Sequence, residues 1–353
     1  MKINKLLTSI FILSILCFTS CSEDDTDSEP RGDYENGILI SGEGSKSTGT
    51  GSVSFVSNDF TVAENLIYKT VNNVELGTYL QSMAFDDDNA YLVVDDANTV
   101  TVVDRYTFEY KGEISTDLEL PRFMVVSDNK GYVTNWGSTS DDTDDFVAVI
   151  DLSTYTIEKT ISVGNGPERI VAHNGKLYVS HKGAYTTNNI VSVITIADDN
   201  VEEITVGYKP DEMFLDNDGA LVVLCGGNES WTGDETEASI TKIDISDNSI
   251  TSTLSFEEGE HPSLMVLDDN TIYYELDGGV FNVISDASSL PETPIIELET
   301  TFTYGIAVKD NNLFITDAEK FADLAKLNVY DLTTKEIIST HSVALGASKI
   351  YFN

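Results

Sequence analysis

Cysteine is scarce in this chain: the 353 residues hold three, Cys17, Cys21 and Cys225. No disulfide framework can brace the fold, so stability has to come from packing. Positive charge is scarce as well. Lys and Arg number 20 against 60 Asp and Glu, for a formal charge of -40, a field that repels phosphate backbones and argues against nucleic acid as a partner. No Cys/His zinc spacing, no Gly-x-Ser-x-Gly elbow, no His-Glu-x-x-His pair and no phosphate-cradling glycine loop occurs, which removes the best-marked metal, hydrolase and nucleotide chemistries. Long helical periodicity is missing too; only "AEKFADLAK" (318–326) carries enough pattern for a turn or two. Long apolar runs are absent except at the start, where Lys2 and Lys5 precede the nearly continuous apolar stretch 6–16. Residues 1–20 are too short and too asymmetric to span a bilayer and have the build of a signal peptide.

What the chain does have is repetition. "SMAFDDDNAYLVVD", "FMVVSDNKGYVTNW", "RIVAHNGKLYVSHK", "EMFLDNDGALVVLC", "LMVLDDNTIYYELD" and "GIAVKDNNLFITDA" share one pattern: an apolar strand, a tight turn of Asp, Asn, Gly or Lys, then a second strand of Tyr, Val, Leu or Ile. Their second residues, Met83, Met124, Ile170, Met213, Met265 and Ile306, mark a common phase, with a period of roughly 40 to 50 residues. Alternating stretches such as "VTVVD", "VAVID", "ITKID" and "LNVYD" follow, then a polar turn and a last strand such as "IEKTISV". Four strands per repeat is the signature of a β-propeller blade. Pro121, Pro167, Pro210 and Pro262 each stand three residues before a marker, where proline can open a strand without breaking its ladder. A seventh blade is expected to be split: "SKIYFN" (348–353) supplies its innermost strand, and "GILIS", "GSVSFVS" and "NLIYKT" supply the other three. Pairing tail with head removes the two edges that would otherwise be exposed. The expected fold is thus all-β: a single seven-bladed propeller over 37–353, built of four-stranded antiparallel blades.

Several motifs carry a resemblance to known families. Ser20 directly before Cys21, at the end of the apolar run, resembles a lipobox, although Phe18 stands where an aliphatic residue is usual. That resemblance implies a diacylated Cys21 as the mature N-terminus; secretion with Cys21 free is the alternative. "SEDD" (22–25) is similar to the acidic export signal of Bacteroidetes surface lipoproteins, and the acidic, polar stretch 21–36 is expected to be a disordered tether. "YVTN" (132–135), the junctions "VGNGPE" and "VGYKPDE", and "GILISGEGSKSTGTGSVSFVS" resemble YVTN-repeat, or YncE-like, propellers across essentially all of 37–353. With the lipoprotein leader, "LGTYLQSMAF" and "LPRFMVVSDNKGYVTNWG" are similar to Bacteroidetes lipoproteins that include the cobalamin-capturing, BtuG-like proteins. The resemblance implies outer-membrane attachment through lipid alone, exposure at the cell surface, cobalamin as ligand and a TonB-dependent transporter as partner. One departure stands out. Where relatives often carry Asn-Glu-Gly after the first strand, this chain has Ser41-Gly42-Glu43-Gly44, so a ligand contact through that Asn has no counterpart.

In a four-stranded meander, the loop into the first strand and the loop from second to third share one face of the disc. On the other face the turns are short and alike ("DDDN", "HNGK", "DNDG"), whereas the first kind vary in length, and variable loops on a rigid scaffold are where function concentrates. Trp136 and Trp231, both of the chain's tryptophans, map to that variable face, with Arg122 and Arg169, half of its arginines. Gln81, His181, Tyr185, His261, Tyr304 and Phe321 map there as well. Rings give contact area at low entropic cost and Arg gives forked donors, a combination suited to a large ligand with flat apolar surface and many amide or phosphate oxygens. The competing role for Arg122 and Arg169 is pairing with a neighbouring blade's carboxylate, and for Trp136 it is capping its blade. Among acidic stretches, Asp86–Asp88 and Asp216–Asp218 fit turn chemistry; "DDTDD" (141–145) is the better Ca²⁺ candidate, set against a plain solvated loop. Cys225, beside Gly226 and Gly227, fits a buried thiol better than a nucleophile. Two further function classes stay open on fold alone: a propeller hydrolase or lactonase using Glu168, Asp211, Glu212 and His261, and an adhesive or protein-interaction scaffold.

Overall fold

The computed structural model describes residues 30–47 and 50–353; the expected signal peptide, Cys21 and most of the expected tether fall outside them. Seven four-stranded antiparallel sheets are arranged as the blades of a propeller. In six of them the strands run in chain order from the inner to the outer edge. The inner strands are Leu80–Phe85, Pro121–Ser127, Pro167–His173, Pro210–Leu215, Leu264–Asp268 and Thr303–Lys309. The remaining blade is the seam, ordered Ala347–Phe352, Gly37–Gly42, Ser52–Ser57 and Ala63–Glu64. Gly37–Gly42 pairs on one side with Ser52–Ser57 and on the other with Ala347–Phe352, so head and tail are stitched in one sheet.

The strand compositions follow from position. Second strands such as Asn89–Val94, Lys130–Asn135 and Lys176–His181 are covered on both faces by adjacent blades and are buried almost end to end, which explains their near-continuous apolar sequence. Tyr91, Tyr132 and Tyr178 fill equivalent fully buried places in these three, each opposite the residue after the marker, while Tyr274 is buried one place further along, opposite Met265 itself. Outer strands such as Thr156–Ser162 and Ser249–Ser255 are mostly exposed and keep one buried residue each, Ile161 and Leu254. The Asx-rich turns are local hydrogen-bond devices: Asp86 Oδ1 accepts from the Asn89 N–H at 2.7 Å, and Asp216 Oδ1 from the Ala220 N–H at 2.9 Å.

Four local expectations change. "NLIYKT" is not the outer strand of the seam blade but a helix, Ile67–Asn72, flanked by left-handed Leu66 and Asn73; the outer strand shrinks to Ala63–Glu64. Ile67, Tyr68 and Val71 fall on one helical face and pack with Leu76, Leu80 and Phe108, a burial that a solvent-facing edge strand could not supply. "AEKFADLAK" forms turns, because Glu319 and Phe321 take positive φ of 50° and 54° and Ala325 already begins a strand. Pro121, Pro167 and Pro210 open their strands, whereas Pro262 precedes a strand that begins at Leu264. Residues 31–36, expected in the tether, pack on the ring: Tyr34 is buried with its ring 5.4 Å from Phe55 and 5.5 Å from Phe108.

Candidate functional site: a charged throat beside an aromatic rim

Five of the inner strands begin with a register shift, between Leu80 and Ser82, Pro121 and Met124, Pro167 and Ile170, Pro210 and Met213, and Thr303 and Gly305. A bulge re-aims the residue it frees. Here the freed positions hold Gln81, Arg122–Phe123, Glu168–Arg169, Asp211–Glu212 and Tyr304, and all of these line one cavity of about 250 Å³ at the mouth of the central channel. Hydroxyl staples between blades fix their height. Ser82 Oγ donates to the Arg122 carbonyl at 2.8 Å, Thr134 Oγ1 to the Glu168 carbonyl at 2.8 Å, Ser180 Oγ to the Asp211 carbonyl at 2.9 Å and Thr316 Oγ1 to the Ala347 carbonyl at 2.8 Å. Thr134 is the Thr of "YVTN", so that motif places the next blade's throat residues.

The throat charges form a chain around the ring. Arg122 donates to Glu168 through Nε at 3.1 Å and Nη2 at 3.0 Å, and to Asp95 through Nη1 at 2.9 Å. Arg169 donates to Asp211 at 3.0 Å and also to Glu212; Lys182 Nζ meets the second Asp211 oxygen at 2.6 Å. Burial opposes ionisation of Asp211, but Lys182 and Arg169 hold its carboxyl well below the usual range. Burial raises the Glu212 carboxyl despite Arg169. Tyr304 is partly buried, its hydroxyl donates to Glu43 at 3.0 Å, and burial followed by the Glu43 charge pushes the phenol up. Phe302 and Phe321 pack around it at ring distances of 5.6 and 5.0 Å.

Adjoining the throat is a cavity of about 620 Å³ lined by Arg122, Trp136, Glu168, Lys182, Tyr185, Lys209 and Trp231 among others. Trp136 is held from below, with Nε1 donating to the Pro167 carbonyl at 3.0 Å and the Arg122 guanidinium 3.9 Å from its ring centre. Tyr185 meets Trp136 edge-on at 5.7 Å and is 65% exposed; Trp231 is 80% exposed. The structure therefore gathers Gln81, Arg122, Arg169 and Tyr304 in the throat and Trp136, Tyr185 and Trp231 on the rim beside it. His261 lies just beyond, in a small cavity with Lys182, Lys209 and Glu229, its Nδ1 2.9 Å from the Gly226 carbonyl.

His181 does not join them. It is 0% exposed, with Nε2 2.8 Å from Ser192 Oγ and Nδ1 3.2 Å from the Asn165 carbonyl, and burial pushes its pKa down to about 4. The imidazole ties a loop to its blade because the strand places it between sheets, not on the rim. The arginines likewise spend their forks on carboxylates of adjacent blades. Cys225 is buried, and burial pushes its thiol up to about 12. In "DDTDD", Asp141 accepts from Thr143, Asp144 from the Ser138 N–H, and Asp145 from the Gly166 N–H; among the described residues no group of three or more His, Cys, Asp or Glu side chains is arranged to hold a metal ion. Glu43, Lys182, Lys209 and Lys349 are throat and rim residues missed at the sequence level. The signal was there for Lys349, which stands one place before Ile350, at the phase that Arg169 and Glu212 occupy before Ile170 and Met213.

The fold has many solved counterparts at low identity. A functionally unknown protein from Desulfotomaculum acetoxidans DSM 771 matches with 13% identity and a TM-score of 0.64 over 90% of this chain and 99% of that one. The Kuenenia stuttgartiensis hydrazine synthase matches with 18% identity and a TM-score of 0.62 over 78% and 92%. The computationally designed Ika8 protein matches with 13% identity and a TM-score of 0.58 over 92% of each chain. At these identities the likeness speaks to fold alone. No curated protein matches the sequence. Residues 36–352 match the family described as a domain of unknown function, DUF5074, and the chain belongs to that family.

Proposed function

We propose that this protein is a surface lipoprotein that captures a large nutrient ligand, cobalamin in the first instance, and hands it to a TonB-dependent transporter of the outer membrane. The resemblance of the leader, of "YVTN" and of "LPRFMVVSDNKGYVTNWG" to YncE-like and BtuG-like lipoproteins supports the assignment. The observation that carries it is the rim. In a chain of formal charge -40, Trp231 and Tyr185 stand exposed beside Trp136, above a throat holding Arg122, Arg169 and Lys182. Exposed rings next to partly buried cations suit a flat, amide-fringed macrocycle that also carries a phosphate. The hydrolase alternative gains nothing from the geometry, since Glu168, Asp211 and Glu212 are engaged by Arg122, Arg169 and Lys182.

Titration of the full chain with cyanocobalamin, followed by heat and by the corrin absorption band, tests this. Binding is expected at micromolar ligand or below, and Trp231→Ala with Tyr185→Ala is expected to weaken it at least about tenfold, the loss of two stacking surfaces. Both rings are exposed, so the variant should melt like the parent. No heat and no spectral change at micromolar cobalamin removes the proposal.

A further inference from the structure

Among the described residues, Lys349 is the throat cation without an ion pair; its Nζ lies 5.9 Å from the centre of the Phe123 ring. Arg122 is matched by Asp95 and Glu168, Arg169 by Asp211 and Glu212, Lys182 by Asp211, and Glu43 by the Tyr304 hydroxyl. Lys349 lines the same cavity of about 250 Å³. Its one hydrogen bond is a long 3.4 Å contact to the carbonyl of its own neighbour, Ser348. Arg169, on the facing inner strand, uses Nε and Nη2 on carboxylates and shows no hydrogen bond from Nη1 among the described residues. Gln81 and Ser263 also line the cavity, and their side chains have no hydrogen-bond partner among the described residues. An ammonium, a guanidinium N–H, an amide and a hydroxyl thus meet in one recess with donors to spare. Ser263 is exposed and Lys349 and Arg169 are partly buried, so water can reach the recess. Converging donors without a protein acceptor mark the place where a charged acceptor can displace that water.

We propose that the throat is an oxyanion site in which Lys349 Nζ and Arg169 Nη1 bind the carboxylate or phosphate of a ligand, with Gln81 and Ser263 completing the hydrogen bonds. The carboxylates nearby are already engaged: Asp95 and Glu168 share Arg122, Asp211 and Glu212 are met by Arg169 and Lys182, and Glu43 accepts from the Tyr304 hydroxyl. Burial first, and the Arg169 charge second, push the Lys349 ammonium below its ordinary pKa against the pull of Glu212, Glu43 and Asp211. The inference deepens the capture proposal, since the throat then takes the anionic group of the molecule whose flat part rests on the rim, but it stands on different residues.

The test uses inorganic phosphate and, separately, acetate, each against chloride at matched ionic strength. The full chain is acetylated with a limiting amount of acetic anhydride near pH 8, and modification of each lysine is quantified by mass spectrometry. Lys349 is expected to react readily in chloride and to be protected several-fold by phosphate, acetate or both, while exposed Lys159 and Lys320 are unaffected; which anion protects identifies the group. Calorimetric affinity for the protecting anion is expected to fall at least about tenfold in Lys349→Met and to persist in Lys349→Arg, as for loss of a charged hydrogen bond. Equal modification of Lys349 in all three salts overturns the proposal, and this readout needs no variant to fold. Protection by phosphate in a protein that ignores cobalamin leaves the throat site standing and removes the cobalamin assignment; cobalamin binding without anion protection does the reverse.

Discussion

Asp145 shows how one buried carboxyl sets a pH response. It is 1% exposed, one of its oxygens accepts the Gly166 N–H and the other has no partner. Burial, opposed by that N–H bond and assisted by the neighbouring acids, raises its pKa to about 6 from 3.8. A carboxyl whose folded pKa lies above the unfolded one contributes stability that is full below the unfolded value and is lost as pH rises through the folded value. The contribution should therefore fade between pH 4 and 6.5, by at most about 3 kcal/mol. Scanning calorimetry of Asp145→Asn against the parent is expected to show that component of the slope removed; superimposable slopes would refute it. The single residues were also the least legible part of the sequence. "RFMVV" shows that an arginine precedes the marker but not that Glu168 and Asp95 from two other blades will occupy it, because the pairing depends on how blades are rotated against each other. His181 reads as a loop ligand by position, and only the packing of its sheet shows the ring sealed inside.

At the scale of the element, blade phase was legible and blade edges were not. The six markers all fall within inner strands, because each is followed by a second strand that is largely buried and leaves a strong apolar signature. Outer strands are half solvated and read ambiguously. "NLIYKT" carries β-forming residues, yet a helix buries Ile67 and Tyr68 where a two-residue outer strand leaves the blade's edge uncovered. The hydroxyl staples are elements in this sense too. Thr134 Oγ1 accepts the Phe123 N–H at 3.0 Å while donating to the Glu168 carbonyl. Thr134→Val keeps the volume and strands both groups, so chemical denaturation should find it about 1–3 kcal/mol less stable. A loss below 0.5 kcal/mol would show that solvent replaces the staple.

For the whole molecule, the prediction concerns the seam. Leu39 is fully buried in a strand paired on both sides, to Phe55 and to Tyr351. Ile338 is exposed on an outer strand, at a register shift where it has no ladder partner. Proline removes a donor and clashes inside a ladder but is tolerated at edge bulges. Leu39→Pro is expected to abolish the cooperative melt in far-UV circular dichroism, and Ile338→Pro to leave it within a few degrees of the parent; similar melts for both would mean that the ring does not depend on its stitch. The strand that shuts the ring, Ala347–Phe352, also carries Lys349 into the throat. A guest lodged between Lys349 and Arg169 would act as a tie from the closing strand to the opposite side of the hoop, so that opening of the joint and release of the guest become a single event.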